Sequence, residues 1–302
     1  MSRNILIISG PTASGKSALA LNLADKKDIA IINADSLQIY ETLPILSSQP
    51  TEAQKKKVSH FLYSHFKPQE TSSVGTWLEL VKSVIAELRK EKKLPVIVGG
   101  SGMYISKLID GISEIPQIDE AIKIKARELF SEISREDFIE KLIEFGEEKE
   151  KIEKLDKQRL IRLYEVFEQT GKSIFDWQKQ PNKKIFSEEN FIHINLNPDR
   201  KKLYEECNLR FEKMLELGAI EEVKTLINQG VKDDWQITKT LGFSEICDFL
   251  NGRISQEKMI EIAAQKTRNY AKRQLTWFRH QLPQKLVFTD LKAAEKFLEN
   301  EI

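Results

Sequence analysis

Residues 8–20 read ISGPTASGKSALA. Gly10, Gly15, Lys16 and Ser17 fit the pattern G-x-x-x-x-G-K-[ST], a loop whose backbone amides cradle phosphate oxygens while the lysine adds charge and the hydroxyl holds Mg²⁺. Its setting is the one the motif requires. Ile5 to Ser9 form an apolar run that predicts a buried strand, and residues 17–24 predict a helix whose N-terminus would face the phosphate. A turn alone needs neither the lysine nor the serine. The motif therefore predicts a phosphate site at the end of a first β-strand, and it leaves the owner of that phosphate open.

Outward from this loop, aliphatic and β-branched runs at residues 4–9, 29–33, 95–98 and 191–196 predict strands, with helical patterns such as residues 77–90 between them. That alternation predicts an α/β fold of the P-loop type, a parallel sheet covered by helices. Between residues 114 and 190 the pattern changes to charged helical segments with apolar positions at spacings of three and four, among them Phe138, Leu142, Phe145, Leu160, Leu163, Tyr164 and Phe167. This predicts a helical insertion at 114–190 in a core made of 1–113 and 191–302. After the strand that begins at Phe191, the remainder reads as helical, at 200–218, 220–229 and 255–280.

With 302 residues, 40% hydrophobic and 31% charged, the chain has the composition of a folded globular protein, without low-complexity segments. A net charge of +1 means that any nucleic acid would be held by a local patch. The longest apolar runs fall far short of the ~20 residues of a membrane span, and Met1 leads into the first strand without a leader pattern, so a cytoplasmic protein with no membrane partner is expected. Cys207 and Cys247 lie 40 residues apart with no further ligand at metal spacing, and are expected to be buried thiols.

Four further places carry chemistry. Asp35 follows the second strand at the sheet edge where α/β proteins bind ligands, and position alone divides it between a site carboxylate and a cap for the next turn. The strand at 95–98 ends in Gly99, Gly100 and Ser101, where nucleotide hydrolases commonly place a Mg²⁺-binding aspartate. Two glycines either permit close approach of another group beside the Ser101 hydroxyl or make a tight turn. Finally, Arg159 and Arg162 lie one turn apart. Residues 265–284 contain five Lys or Arg and no Asp or Glu, with Lys266, Tyr270, Arg273 and Trp277 on one helical face. Interleaved cations and aromatics suit RNA phosphates and bases, and equally a solvated helix face.

Taken in order, GPTASGKS, NADSLQIY, VGGSGMYI, QRLIRLYEVFEQTGKS, LGF and KRQLTWFR make the chain resemble, over nearly its whole length, the bacterial tRNA dimethylallyltransferases, also called tRNA isopentenyltransferases. The resemblance implies that the loop holds the pyrophosphate of dimethylallyl diphosphate, with Mg²⁺ as cofactor and no consumption of ATP. The acceptor it implies is N6 of the adenosine 3′ of the anticodon in tRNAs reading codons that begin with U, and the partner is the anticodon stem-loop of tRNA. It assigns Gly10, Thr12, Ala13, Ser14, Gly15, Lys16, Ser17 and Lys239 to pyrophosphate, and Ser17 to the metal. Asp35 becomes the general base, with Ser101 and Lys16 beside it in catalysis. Asp35, Ser36, Leu37, Gln38, Ser101, Lys123, Gln158, Arg159, Arg162, Lys239, Gly242, Lys266, Arg273 and Trp277 become tRNA contacts. A monomer is expected.

Three positions depart from the family's usual pattern. Ser101 replaces a threonine, residues 47–50 read SSQP where a G-T-A-K-P segment is common, and Lys239 stands where some relatives carry an arginine, which exchanges a planar fork for a point charge. Other readings of the residues are a P-loop nucleoside or nucleotide kinase with the insertion as its lid, and an RNA-binding module with a structural loop. The first gives VGGSGMY and KRQLTWFR no purpose, and the second leaves Asp35 without a task.

Overall fold

The structure is a computed structural model that describes residues 3–282 and 285–301. Met1, Ser2 and Ile302, at the ends of the expected core segments, and Pro283 and Gln284, which close the basic stretch, lie outside the described residues. In chain order the elements are β1 (Asn4–Ser9), α1 (Lys16–Ala24), β2 (Ile29–Asn33), α2 (Glu52–Lys57), β3 (His60–Phe61), α3 (Val74–Lys90), β4 (Leu94–Gly99) and α4 (Gly102–Asp110). Five helices follow: α5 (Glu120–Glu132), α6 (Arg135–Glu144), α7 (Lys149–Ile152), α8 (Lys157–Thr170) and α9 (Ile174–Gln178). Then come β5 (Asn190–Leu196), α10 (Arg200–Glu216), α11 (Ala219–Asn228), a 3₁₀ turn (Gln236–Lys239), α12 (Phe243–Leu250), α13 (Gln256–Gln281), β6 (Leu286–Phe288) and α14 (Leu291–Glu301). The chain divides into two compact units, residues 1–109 with 185–302, and residues 110–184.

The larger unit is built on one parallel sheet in the order β3-β2-β4-β1-β5-β6. The central strands β1, β2 and β4 are buried almost end to end, which is why they read as unbroken aliphatic runs and not as alternating ones. Leu6, Ile8, Ile31, Val96, Val98 and Ile194 pack with Leu19 and Leu23 of α1 in one core cluster. Register then fixes the site. Ser9 pairs with Gly99, and Asn33 with Val98, so the loops that leave the C-terminal ends of β1, β4 and β2 start side by side.

Two expectations are corrected here. The chain after β5 is not wholly helical, because Leu286–Phe288 adds a parallel edge strand beside β5. Cys247 is only partly buried, whereas Cys207 is fully buried on the inner face of α10.

The smaller unit is helical. Phe138, Leu142, Leu160, Leu163 and Tyr164 form its core, with Phe145 packed against it and stacked on Phe167 at 4.3 Å between ring centroids. Asp156 caps α8 by accepting the Arg159 amide at 3.0 Å, and Gly171 ends that helix in the left-handed region.

Candidate active site

The phosphate loop has the backbone its motif implies. Gly15 stands at φ 87° and even Ala13 takes φ 62°, so the loop curls back on itself before α1. The first-turn amides of α1 have no intrahelical acceptors and face the N-terminal end of the helix dipole. Ser14 contributes a buried hydroxyl with no hydrogen-bond partner among the described residues. Burying an unpaired hydroxyl is costly, and a phosphate oxygen is the acceptor such a loop is shaped for. Two loop amides are spoken for, since Thr12 N–H donates to Gln274 Oε1 at 2.8 Å and Ser14 N–H to the Pro11 carbonyl at 3.3 Å.

Beside the loop opens a cavity of about 380 Å³ built by the larger unit alone. Its walls carry Lys16, Arg210, Lys239 and Arg273, set against a single carboxylate, Asp35. Thr12 and Ser17 line it from the loop, and Leu46, Val98, Phe211, Met214 and Leu241 give it an apolar wall. Lys16 Nζ donates to the Pro11 carbonyl at 2.6 Å. Burial, reinforced by the nearby Arg210 charge and opposed by Asp35 and Cys207, brings its pKa down to about 7. Arg210 is itself lowered by burial, with Asp35 acting the other way. The hydroxyls of Tyr63 and Tyr270 are raised, mainly by burial and also by the Asp35 charge, so both are neutral donors. A cavity this rich in cations with one acid selects a multiply charged anion, and its apolar wall suits a hydrocarbon group.

Asp35 fills both of the roles its position allows. Oδ1 caps the turn by accepting the Leu37 amide at 2.9 Å and the Gln38 amide at 3.4 Å, while Oδ2 makes no hydrogen bond among the described residues. Asn33 holds the segment in place, accepting the Asp35 amide at 2.8 Å and donating to the Asp35 and Leu62 carbonyls. Ser101 lies in an adjoining recess that shares Ser36, Gly100, Tyr270, Arg273 and Gln274 with the main cavity. There its hydroxyl accepts the Ser36 amide at 3.0 Å. The glycines after β4 do admit close neighbours, and these are groups of the chain itself. A Cβ on Gly99 would stand 2.0 Å from the Ala34 carbonyl oxygen, and one on Gly102 2.1 Å from the Trp277 ring.

The remaining candidates fall into separate groups. Ser36, Leu37, Gln38, Lys239 and Arg273 line the cavity, and Trp277 lines the recess with its ring against Gly102. Gln38 also clamps the SSQP segment, donating to the Ser47 and Ser48 carbonyls at 2.9 and 3.0 Å. Lys266 stands apart, paired with the buried Glu245 and within 3.3 Å of the Ser244 hydroxyl. Gly242 begins α12 at φ 92°, against the Phe211 ring. Lys123, Gln158, Arg159 and Arg162 belong to the 110–184 unit. Within it Lys123 bonds Glu120 at 2.9 Å and Arg162 bonds the buried Glu165 at 3.2 Å.

Arg210, Gln274 and Asn33 also belong to the site, and no sequence motif singles them out. Gln274 Nε2 donates to the Gly100 carbonyl at 2.9 Å while its Oε1 accepts from Thr12, so one side chain of α13 ties the phosphate loop to the β4 turn. The one available signal was an amide inside a block of cations.

Residues 38–281 match the family model described as IPP transferase. The chain belongs to the IPP transferase family. The tRNA dimethylallyltransferase of Ehrlichia chaffeensis is 41% identical to it over 286 residues, 94% of this chain and 93% of that one. Among solved structures, the full-length tRNA isopentenylpyrophosphate transferase of Bacillus halodurans superposes with a TM-score of 0.69 at 27% identity, covering 99% and 96% of the two chains. A eukaryotic dimethylallyltransferase captured acting on tRNA shares the fold with a TM-score of 0.78 at 21% identity, covering all of this chain and 81% of its own. The family match begins at Gln38, so Asp35 and the phosphate loop precede it and rest on the geometry above.

Proposed function

We propose that this protein transfers a dimethylallyl group from dimethylallyl diphosphate to N6 of the adenosine 3′ of the anticodon, in tRNAs reading codons that begin with U. The observation that carries the reading is the cavity itself, in which one acceptor-ready carboxylate oxygen stands among four cations beside a phosphate loop. In the step proposed, the N6 lone pair forms a bond to the terminal allylic carbon as that carbon's bond to the diphosphate oxygen breaks. The bonding electrons leave with pyrophosphate, and the N6 proton passes to Asp35. N6 is a weak nucleophile because its lone pair is delocalised into the purine, so removing the proton during attack is where a base contributes. Lys16, the loop amides and Lys239 stabilise charge gathering on the leaving group, and Ser101 positions the acceptor amine.

Mg²⁺ fits this donor set in one particular way. Among the described residues no three His, Cys, Asp or Glu side chains converge on a metal site, whereas Ser17 offers a hydroxyl to the cavity. Ser17 would hold the ion together with oxygens of the diphosphate and water, and the ion would supply neutralising charge for the leaving group. Reaching Asp35 requires the adenine to leave the stacked anticodon loop, with Trp277, Arg273 and the cations of the helical unit as the RNA contacts. The test is incubation with dimethylallyl diphosphate, Mg²⁺ and an anticodon stem-loop, with and without ATP. One added C₅H₈ per RNA by mass spectrometry without ATP is expected, and an obligatory requirement for ATP hydrolysis would overturn the reading.

A further inference from the structure

Strand β2 ends at Asn33, and the backbone of the two residues that follow is satisfied in different ways. Ala34 stays tied to the β4 side, its amide donating to the Val98 carbonyl at 2.8 Å and its carbonyl accepting the Ser101 amide at 3.2 Å. Asp35 is held by a side chain. Asn33 Oδ1 accepts the Asp35 amide at 2.8 Å, and Asn33 Nδ2 donates to the Asp35 carbonyl at 2.9 Å and to the Leu62 carbonyl at 3.0 Å. The carboxamide thus spends both of its hydrogens and its oxygen on backbone. Asp35 then repeats the pattern, with Oδ1 accepting the Leu37 amide at 2.9 Å. Two turns closed by side chains follow one another. The first fixes where the Asp35 backbone stands, and the second which way its carboxylate is turned, so that Oδ2 is the oxygen the turn does not use. Asn33 is itself fully buried, and its own carbonyl accepts the indole N–H of the buried Trp77 at 2.8 Å, which anchors the clamp in the core.

We propose that Asn33 is a positioning residue for the transfer step, setting the reach of Asp35 Oδ2 into the cavity through the Asp35 backbone and without touching substrate. This rests on the proposed transferase reading and adds to it the group that holds its base. A base must stand within hydrogen-bond reach of the N6 proton as the new N–C bond forms, and a displacement of about 1 Å costs on the order of 10²-fold in rate. Asp35 lies beyond the end of its strand, so the rigidity that such a base needs comes from the carboxamide. No simpler side chain does this. A valine would complete the aliphatic run of β2 and leave one amide and two carbonyls without their partner, and an aspartate would turn an oxygen toward the Asp35 and Leu62 carbonyls.

The experiment measures single-turnover transfer at saturating dimethylallyl diphosphate and anticodon stem-loop for the wild type, Asn33→Ala and Asn33→Ser, each also in the Asp35→Asn background. Calorimetric titration with inorganic pyrophosphate counts the competent sites, so that rates refer to folded protein. Asn33→Ala is expected to lower the rate about 10- to 100-fold, with pyrophosphate and stem-loop affinities within a few-fold. Asn33→Ser, whose hydroxyl can still accept the Asp35 amide, is expected to fall between the two. In the Asp35→Asn proteins the same changes should lower the rate by less than about threefold, because the base through which Asn33 acts is gone. An asparagine that served the fold alone would lower the rate equally in both backgrounds, and that result overturns the proposal. So does an unchanged rate in Asn33→Ala, or a loss confined to pyrophosphate or stem-loop affinity. If Asn33→Ala yields no sites that bind pyrophosphate, the Asn33→Ser comparison across the two backgrounds decides alone. A wild type that binds pyrophosphate and transfers nothing would instead remove the transferase reading, and this proposal with it.

Discussion

Under the proposed function Asp35 serves structure with one carboxylate oxygen and chemistry with the other, since Oδ1 alone caps the turn. Asparagine keeps the oxygen that caps the turn and removes the base. Asp35→Asn should therefore leave thermal stability unchanged and lower kcat about 10²- to 10⁴-fold, with tRNA affinity within a few-fold. A variant that kept its kcat and bound more weakly would make Asp35 a positioning residue. Lys16 gives a pH prediction of definite sign. With its pKa held at about 7, it is largely neutral in the free protein above that pH, whereas a diphosphate favours the ammonium form. Binding must then draw a proton from solvent, so affinity for dimethylallyl diphosphate should fall as pH rises from 7 to 9, by at most tenfold per pH unit. Calorimetry in buffers of different ionisation enthalpy reads the proton uptake directly, and Lys16→Met supplies the baseline for the ligand's own ionisation. An affinity that followed the same course in both proteins would exclude Lys16 as the titrating group. For the fold the sign is opposite. Between pH 7 and the ordinary lysine value of 10.5 the unfolded chain holds the proton that the folded one has shed, so this group's contribution to stability rises with pH.

Among the elements, α13 ties the phosphate loop to the β4 turn, and Gln274 is the point at which it does so. Replacing Gln274 with leucine keeps the volume but leaves the Thr12 amide and the buried Gly100 carbonyl without their partner. A cost of about 1 to 3 kcal/mol is expected, together with weaker pyrophosphate binding as the loop loosens, measured as a lower denaturant midpoint and a higher Kd. Unchanged pyrophosphate affinity in a destabilised protein would confine Gln274 to the fold. Its role also marks the limit of what the sequence discloses. Strands β1, β2, β4 and β5 are legible because a parallel strand buried on both faces must be a run of aliphatic residues. Strands β3 and β6 are two and three residues long and lie at the sheet's edges, too short for any period to register. The phosphate loop is legible because its chemistry needs contiguous residues. Arg210, Gln274 and Asn33 are not, since each acquires its partner through tertiary packing, and nothing in the local spacing of an arginine on a charged helix says which way it faces.

At the scale of the whole molecule, a net charge of +1 leaves no long-range field to gather RNA, so tRNA binding under the proposed function depends on individual cations and on whether their charge is already spent. The helical unit offers a controlled comparison one turn apart on α8. Arg159 is 72% exposed and reaches Asp156 only at 3.6 Å, whereas Arg162 is 40% exposed and hydrogen-bonds Glu165, whose carboxylate is 9% exposed. An exposed pair at 3.6 Å is worth little and gives up its cation readily, but removing Arg162 strands a carboxylate in the interior. Arg159→Ala should therefore leave the melting temperature alone, weaken stem-loop binding and flatten the log–log salt dependence by about 0.7 to 0.9, the slope that neutralising a single RNA phosphate contributes. Arg162→Ala should lower the melting temperature by a few degrees, and the double variant Arg162→Ala with Glu165→Gln should recover most of that decrease because the stranded charge is gone. Stem-loop affinity in that double variant then tests Arg162 as an RNA ligand free of its structural duty. A salt slope equal to the wild type's in both Arg159→Ala and the double variant would take α8 out of the tRNA surface and leave the binding energy to the cations of the larger unit.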